Sequence, residues 1–315
     1  MNIIVITEHQ HSEELTMDIM PGYRIFTDTI LRQLGITCEL LHYNPFYRTP
    51  LGVDKWQWWL KTVATKYIQY RKPDAVIVMT DVYGDSDFIG CYIEFLKECT
   101  PPVLQIWFDS ATGPQFEAAE LYAPYVTKHI VGPTLPGTPS DESKYLRMWA
   151  VPDPNLYYRQ WNKPIPISMN GLVGTRKDRL LINSLIEKSN IPVLRVGGRS
   201  DSSALSTSEY ARVHRESRIG INSNQFEHAP QVKGRVMEII ASSTMLMELT
   251  NPAMEGFFRK DLEYVEFTYD NFIGKMQYYL KNPNTVDKIA HAGYCKFMNN
   301  YTNRHYWERV FSEIS

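Results

Sequence analysis

The pattern of the chain predicts an α/β protein made of two Rossmann-like, doubly wound halves. Three observations carry this expectation. Short apolar runs alternate with amphipathic stretches along all 315 residues, which is the order of strands and helices in parallel sheets covered on both faces. Near the middle, Val151-Pro152-Asp153-Pro154 and the two prolines of residues 162–167 interrupt that alternation, and proline breaks helices and stiffens linkers. The length exceeds one ordinary core and fits two.

The elements follow in order. Residues 3–7 read as a buried strand, 24–34 as a helix ended by Gly35, and 37–42 as a second strand. An aromatic-rich helix spans 56–70, followed by a strand at 75–80 and a helix at 87–99. A strand at 103–108, a short helix at 116–121 and a short strand at 129–131 complete the first half. The second half repeats the cycle: strand 168–173, helix 177–188, strand 192–196, helix 208–216, strand 219–222. Helix 235–242 and strand 245–249 come next, then strand 264–267 and helices at 269–280, 286–299 and 303–312. Continuous apolar runs such as Val103-Leu104-Gln105-Ile106-Trp107-Phe108 predict strands buried on both faces.

Bulk properties narrow the class. Hydrophobic residues are 43% and charged residues 22% of the chain, the balance of an ordinary globular protein. A net charge of −2 gives no whole-molecule sign of nucleic-acid binding. Residues 171–238 hold eleven Lys/Arg against seven Asp/Glu, a net +4, so the rest of the chain is net −6. A locally positive second half suits a phosphate-bearing ligand. Cys38, Cys91, Cys99 and Cys295 form no C-x-x-C pair; they read as buried thiols in a reducing compartment. The N-terminus reads as a first strand rather than a signal peptide, and no run of about 18 apolar residues predicts a membrane span. The expected location is cytoplasmic.

The most informative stretch is Val232-Lys233-Gly234-Arg235-Val236-Met237-Glu238, which follows Pro230-Gln231. Two cations and an acid meet at the start of a helix. Helix N-terminal N–H groups, lysine and arginine attract phosphate, and a carboxylate accepts hydrogen bonds from sugar hydroxyls. A nucleotide-sugar offers both groups. A capped helix start is the plainer alternative, with Glu238 balancing the macrodipole; the two cations oppose that dipole and ask for an anion.

This stretch resembles the donor-binding signature of GT-B glycosyltransferases, above all the CgeB-type spore-maturation family, whose chains carry a Lys-Gly-Arg-x-x-Glu-Ala-like segment. Residues 205–210 and 217–222 before it, and 278–283 and 289–293 after it, are similar to the family's flanking elements. The resemblance runs from about Gly171 to the C-terminus. The family pattern carries another glutamate eight residues before Glu238; here that position is Pro230, and the nearest acid is Glu227. The resemblance implies two Rossmann-like domains facing a cleft. Residues 1–158 would form the acceptor side and 159–299 the nucleotide-sugar donor domain. The terminal helix, 300–315, would pack back on the first domain. It also implies a retaining transferase that uses a nucleotide-diphosphate sugar, most simply a UDP-sugar, with no further cofactor and no metal.

Candidate residues divide by role. Arg176 and Lys233 would stabilise charge on the leaving diphosphate, and Asp109, at the carboxyl end of a central strand, would orient an acceptor hydroxyl or act as a base. The donor would meet Gly22, Gly174, Thr175, Arg179, Asn222, Arg235 and Glu238. The glycine-bearing Gly171-Leu172-Val173-Gly174-Thr175-Arg176 turn lets backbone N–H groups approach a phosphate. The resemblance implies that Glu238 holds ribose or sugar hydroxyls. His9 and His11 border the acceptor side. Each has a plain alternative: a tight turn, an N-cap, a solvated loop histidine. The Asp85-Ser86-Asp87 triplet, after Asp81, is the GT-A pattern for a divalent metal and recurs by chance in polar loops. The acceptor is open among a saccharide, a protein and a modified DNA base. A phage-type nucleobase glycosyltransferase or a non-catalytic two-lobed sugar-nucleotide-binding protein is the alternative.

Overall fold

A computed structural model describes residues 1–8, 29–44, 52–79, 86–107, 113–171, 177–196, 205–223 and 230–314. They form two compact α/β units. The first comprises the described residues of 1–148 together with 304–314, and the second those of 149–303.

In the first unit the strands are β1 (Asn2–Glu8), β2 (Thr37–Tyr43), β3 (Ala75–Met79), β4 (Val103–Ile106), β5 (Lys128–Val131) and β6 (Tyr145–Arg147). They lie in the order β2-β1-β3-β4-β5-β6, all parallel. Ala75 to Met79 are buried throughout, as a central strand covered on both faces requires. The intervening helices are α1 (Thr29–Gln33), α2 (Val53–Trp58), α3 (Thr65–Arg71), α4 (Ser86–Glu98) and α5 (Gly113–Tyr122).

Between α2 and α3 the helix widens into a π-helical turn, Trp59–Ala64. Thr65 supports the wider turn, because its hydroxyl donates to the Leu60 carbonyl five residues back at 2.9 Å. Trp56 and Trp59 stack at 5.7 Å beneath it. Asp74 accepts the Asn2 amide at 2.6 Å and so anchors the start of β1. On the edge strand β2, Glu39 accepts from Tyr67 at 2.6 Å and pairs with Arg71. The last helix, α11 (Asn303–Ser312), belongs to this unit from Arg304 on. Next to its end, Glu313 pairs with Lys128 at 2.8 Å.

Details differ from the sequence reading, and residues 149–158 fall in the second unit. The three-residue strand β6 extends the sheet, although nothing in its brief Tyr-Leu-Arg run marks it as a strand. The four cysteines are free and half-buried rather than buried. Burial still pushes the Cys38 and Cys99 thiols up to about 12.

The second unit has β7 (Ile165–Asn170), β8 (Leu194–Val196), β9 (Ser217–Asn222), β10 (Met245–Leu249) and β11 (Val265–Phe267). The order is β11-β10-β9-β7-β8, again all parallel. Its helices are α6 (Lys177–Ser189), α7 (Thr207–Glu216), α8 (Gly234–Ala241), α9 (Phe272–Lys281) and α10 (Pro283–Asn300). A capping box starts α7: Ser206 accepts the Glu209 amide, and Glu209 accepts the Ser206 amide. Gly293 lets α10 close on the chain before β11, since a Cβ there would sit 2.4 Å from the Glu263 carbonyl oxygen.

The strand order reverses between β7 and β9. In open α/β sheets the crevice beyond the carboxyl ends of the strands at such a reversal is where ligands bind. Lys163, ahead of β7, clamps the far ends of the two nearest helices. Its ammonium donates to the Arg215 and Ser242 carbonyls at 2.8 and 3.0 Å and to the Thr244 hydroxyl at 2.8 Å.

Candidate active site

The carboxyl ends of β7, β9 and β10 carry polar side chains that are almost wholly buried: Asn170, Asn222 and Glu248. An apolar sheet interior exposes no such groups without a use, because an unpaired buried polar group costs about 1–3 kcal/mol. Most of the bonds are made. Asn222 donates to Glu248 Oε2 at 2.7 Å. Asn251 donates to Glu248 Oε1 at 3.3 Å and to the Gln231 carbonyl at 2.9 Å. Burial pushes the Glu248 carboxyl up to about 7, against the pull of the two amides and of Arg235 and Arg179.

Arg235 enters this network from the first turn of α8. It donates through Nε to the Tyr210 hydroxyl at 3.0 Å and through Nη1 to Asn222 Oδ1 at 3.1 Å. Its third nitrogen, Nη2, lies over Gly171, at the end of β7. Gly171 adopts φ +109°, and a Cβ built there would fall 2.5 Å from Arg235 Nη2 and 2.7 Å from Arg179 Nη1. Two guanidinium ends thus converge on one glycine that has no side chain to hold them apart. Arg179 itself is 4% exposed.

A second layer lies behind Arg235. His214 is 1% exposed and receives Asn170 Nδ2 at 3.2 Å from its Nε2. Its ring meets Tyr210 edge-on at 4.9 Å. Burial, then the charges of Arg235 and Lys163, hold its pKa down to about 3, so it is neutral at physiological pH. Glu238 lies 4.0 Å from His214 Nε2. Burial and the adjacent Glu238 push the Tyr157 phenol well above its ordinary range. Asn170 Oδ1 and Ser223 Oγ belong to the buried polar atoms that have no hydrogen-bond partner among the described residues. They sit at the ends of β7 and β9, the two strands that flank the reversal.

The structure therefore brings together Arg179, Asn222, Arg235 and Glu238 from the sequence reading, with Lys233 as the N-cap of α8. Gly22, Gly174, Thr175, Arg176, Asp109, His9 and His11 lie outside the described residues, as do Asp81 and Asp85. Asp87 is an exposed residue in the first turn of α4. Among the described residues no group of three or more His, Cys, Asp or Glu side chains could hold a metal ion, and no helix is long and apolar enough to cross a membrane. Sequence reasoning missed Asn170, Tyr210, His214 and Glu248. Only Glu248 left a signal, as the single ionisable residue in the strand Met-Leu-Met-Glu-Leu.

Comparison with known proteins bears on the fold and class. Residues 176–312 match the family model described as glycosyl transferase-like. The chain is similar in fold to Anabaena HepE crystallised with UDP and glucose, at a TM-score of 0.57 and 11% identity over 99% of each chain. A glycosyltransferase from Rickettsia africae gives 0.60 and 12%, over 99% of this chain and 98% of that one. Sucrose-phosphate synthase from Thermosynechococcus elongatus gives 0.62 and 9%, over 99% and 98%. At such identities the likeness speaks for the fold. No curated protein matches the chain by sequence. The fold is GT-B, and with a glycosyl transferase-like domain over most of its second unit the protein is an enzyme of the glycosyltransferase class.

Proposed function

We propose that this enzyme takes a sugar from a UDP-sugar, that the diphosphate sits over Gly171 between Arg179 and Arg235, and that Glu238 meets hydroxyls of the ribose or the sugar. The convergence of two guanidinium ends on Gly171 carries the reading. Like charges brought together repel, and an anion between them turns the cost into binding. The orphaned Asn170 Oδ1 and Ser223 Oγ add polar groups that a bound donor would satisfy. UDP in the HepE crystals supports the choice of nucleotide.

Catalysis in this reading is electrostatic. As the sugar–phosphate bond breaks, negative charge grows on the leaving diphosphate. Fixed cations and the α8 N-terminus stabilise it without reorganising. Lys233, at that N-terminus, and Arg176, between β7 and α6, join the two arginines; Gly174, Thr175 and Gly22 give backbone access to the phosphates. Asp109, His9 and His11 serve the acceptor, which is a saccharide, a protein or a modified base. The Lys233-Gly234-Arg235-x-x-Glu238 stretch supports the CgeB-type branch and, with it, retention of anomeric configuration. No metal is needed when fixed cations neutralise the leaving group, so turnover should survive EDTA; loss in chelator with recovery on manganese would sink that part.

The first test is a thermal-shift panel of nucleoside diphosphates, since a ligand bound only by the native state raises its apparent stability. UDP should raise Tm, and Arg235→Ala and Glu238→Ala should lower turnover by about one to two orders of magnitude, from about 1.5–3 kcal/mol per charge-assisted bond. Wild-type turnover in both variants would refute the assignment.

A further inference from the structure

The chain of hydrogen bonds behind Arg235 has a direction, and one residue sets it. Arginine can only donate, so Asn222 must present its oxygen to Arg235 Nη1. That turns the Asn222 amide nitrogen toward Glu248, which receives it at 2.7 Å. A side chain at position 248 that also carried a donor would oppose this nitrogen. Above about pH 7, where it is ionised, the Glu248 carboxylate only accepts, so it fixes Asn222 in the one orientation that serves Arg235. The other oxygen of Glu248 accepts Asn251 Nδ2, and that same nitrogen donates to the Gln231 carbonyl. Gln231 lies two residues before Lys233, the N-cap of α8. Of the two arms, only the one through Asn222 ends on a cation, Arg235; the one through Asn251 ends on the Gln231 backbone.

Glu248 is fully buried, in a strand whose five residues are all buried. A methionine or leucine would fill the place without the several kcal/mol that burying an ion costs. Its two carboxylate oxygens are occupied by Asn222 and Asn251.

We infer that Glu248 is a positioning residue: an acceptor-only group, itself out of the ligand's reach, that aims Arg235 over Gly171 by fixing the direction of the Asn251–Glu248–Asn222–Arg235 chain. This rests on the reading that Arg235 holds the donor diphosphate. It separates three roles by the sign of one measurement. A carboxylate that merely neutralised Arg235 would, once removed, free the guanidinium and tighten anion binding. One that merely filled the core would alter stability and leave affinity per folded molecule alone. A positioning carboxylate weakens binding when lost.

The experiment measures UDP affinity calorimetrically in the full chain, above pH 7 where Glu248 is ionised, for wild type, Arg235→Ala, Glu248→Gln and the double variant. Glutamine keeps the shape but puts a donor against one of the two asparagine amides. Glu248→Gln should weaken UDP binding about 10-fold or more, and the double variant should bind no worse than Arg235→Ala alone, because the two residues act through one contact. Unchanged or tighter binding in Glu248→Gln, or losses that add in the double variant, would overturn the inference. Should Glu248→Gln fail to fold, Glu248→Asp keeps the acceptor but shortens it, and wild-type affinity there would be equally fatal. A crystal structure of the variant separates this inference from the donor reading. If wild type does not bind UDP, the donor reading fails. An Arg235 still bonded to Asn222 in the Glu248→Gln crystal would refute positioning whatever the ligand.

Discussion

Replacing Gly171 with alanine is the most direct perturbation of the anion cradle, and its effects divide cleanly. The added methyl would fall 2.5 Å from Arg235 Nη2, 2.7 Å from Arg179 Nη1 and 2.9 Å from Arg235 Cζ. All three are ends of flexible side chains, so the guanidinium groups give way rather than the sheet. The backbone cost is separate: φ of +109° disfavours any residue with a Cβ, at about 1–3 kcal/mol. For binding, displacing both arginines forfeits two charge-assisted contacts at about 1.5–3 kcal/mol each. At about 1.4 kcal/mol per decade, that is roughly two to four orders of magnitude in Kd. The control is Gly35→Ala. Gly35 has φ +72° and no atom within 4 Å of an added Cβ, so it incurs backbone strain without touching the cradle. Urea unfolding and UDP titration calorimetry on both variants give the two quantities. Gly171→Ala should lose stability comparably to Gly35→Ala and lose nearly all UDP affinity, while Gly35→Ala keeps it. A folded Gly171→Ala protein with wild-type UDP affinity would refute the cradle.

Two further outcomes follow from packing and titration. Gly293→Ala places a methyl 2.4 Å from the Glu263 backbone oxygen, which cannot swing aside, so overpacking should cost about 1–3 kcal/mol in urea unfolding; unchanged stability would show that α10 shifts freely. His214, held down to about 3 from 6.5, makes folding favourable above pH 6.5 and loses that as pH falls. Glu248, raised from 4.5 to about 7, acts the other way: its contribution is present below pH 4.5 and lost as pH rises toward 7. The two slopes oppose each other between pH 4.5 and 6.5. Glu248→Gln removes one, so its stability should fall relative to wild type as pH drops through that window, by up to about 1.4 kcal/mol per pH unit. Parallel stability curves for the two proteins would contradict this.

Much of the fold was legible because parallel strands announce themselves. The runs at 3–6, 75–79 and 245–247 are apolar on both faces, as a sheet covered on both sides demands. The start of α8 was legible for a different reason: Lys233 and Arg235 oppose the helix dipole, a local conflict that points to a ligand. What escaped is whatever tertiary convergence creates. His214 and Tyr210 are unremarkable helix residues until α7 lies against Arg235. Asn170 is one polar residue at a strand end until Asn222 and Ser223 arrive beside the same reversal from about 50 residues on. Glu248 stood out in its strand, yet its role depends on two asparagines, one of them in another strand. The strand β6 escaped because three residues are too few for any period to show.

The lengths of the outer strands bear on how the protein behaves when crowded. A sheet ends in unpaired backbone groups that can template pairing with another chain. Among the described residues, three of the four sheet ends, β6, β8 and β11, are strands of only three residues. The fourth, β2, has seven. It is therefore the site from which unwanted self-association would spread, and Glu39, bonded to Tyr67 and Arg71, places a charge on it. Charges on an outer strand discourage such pairing, so the Glu39 ion pair works against self-association along this edge.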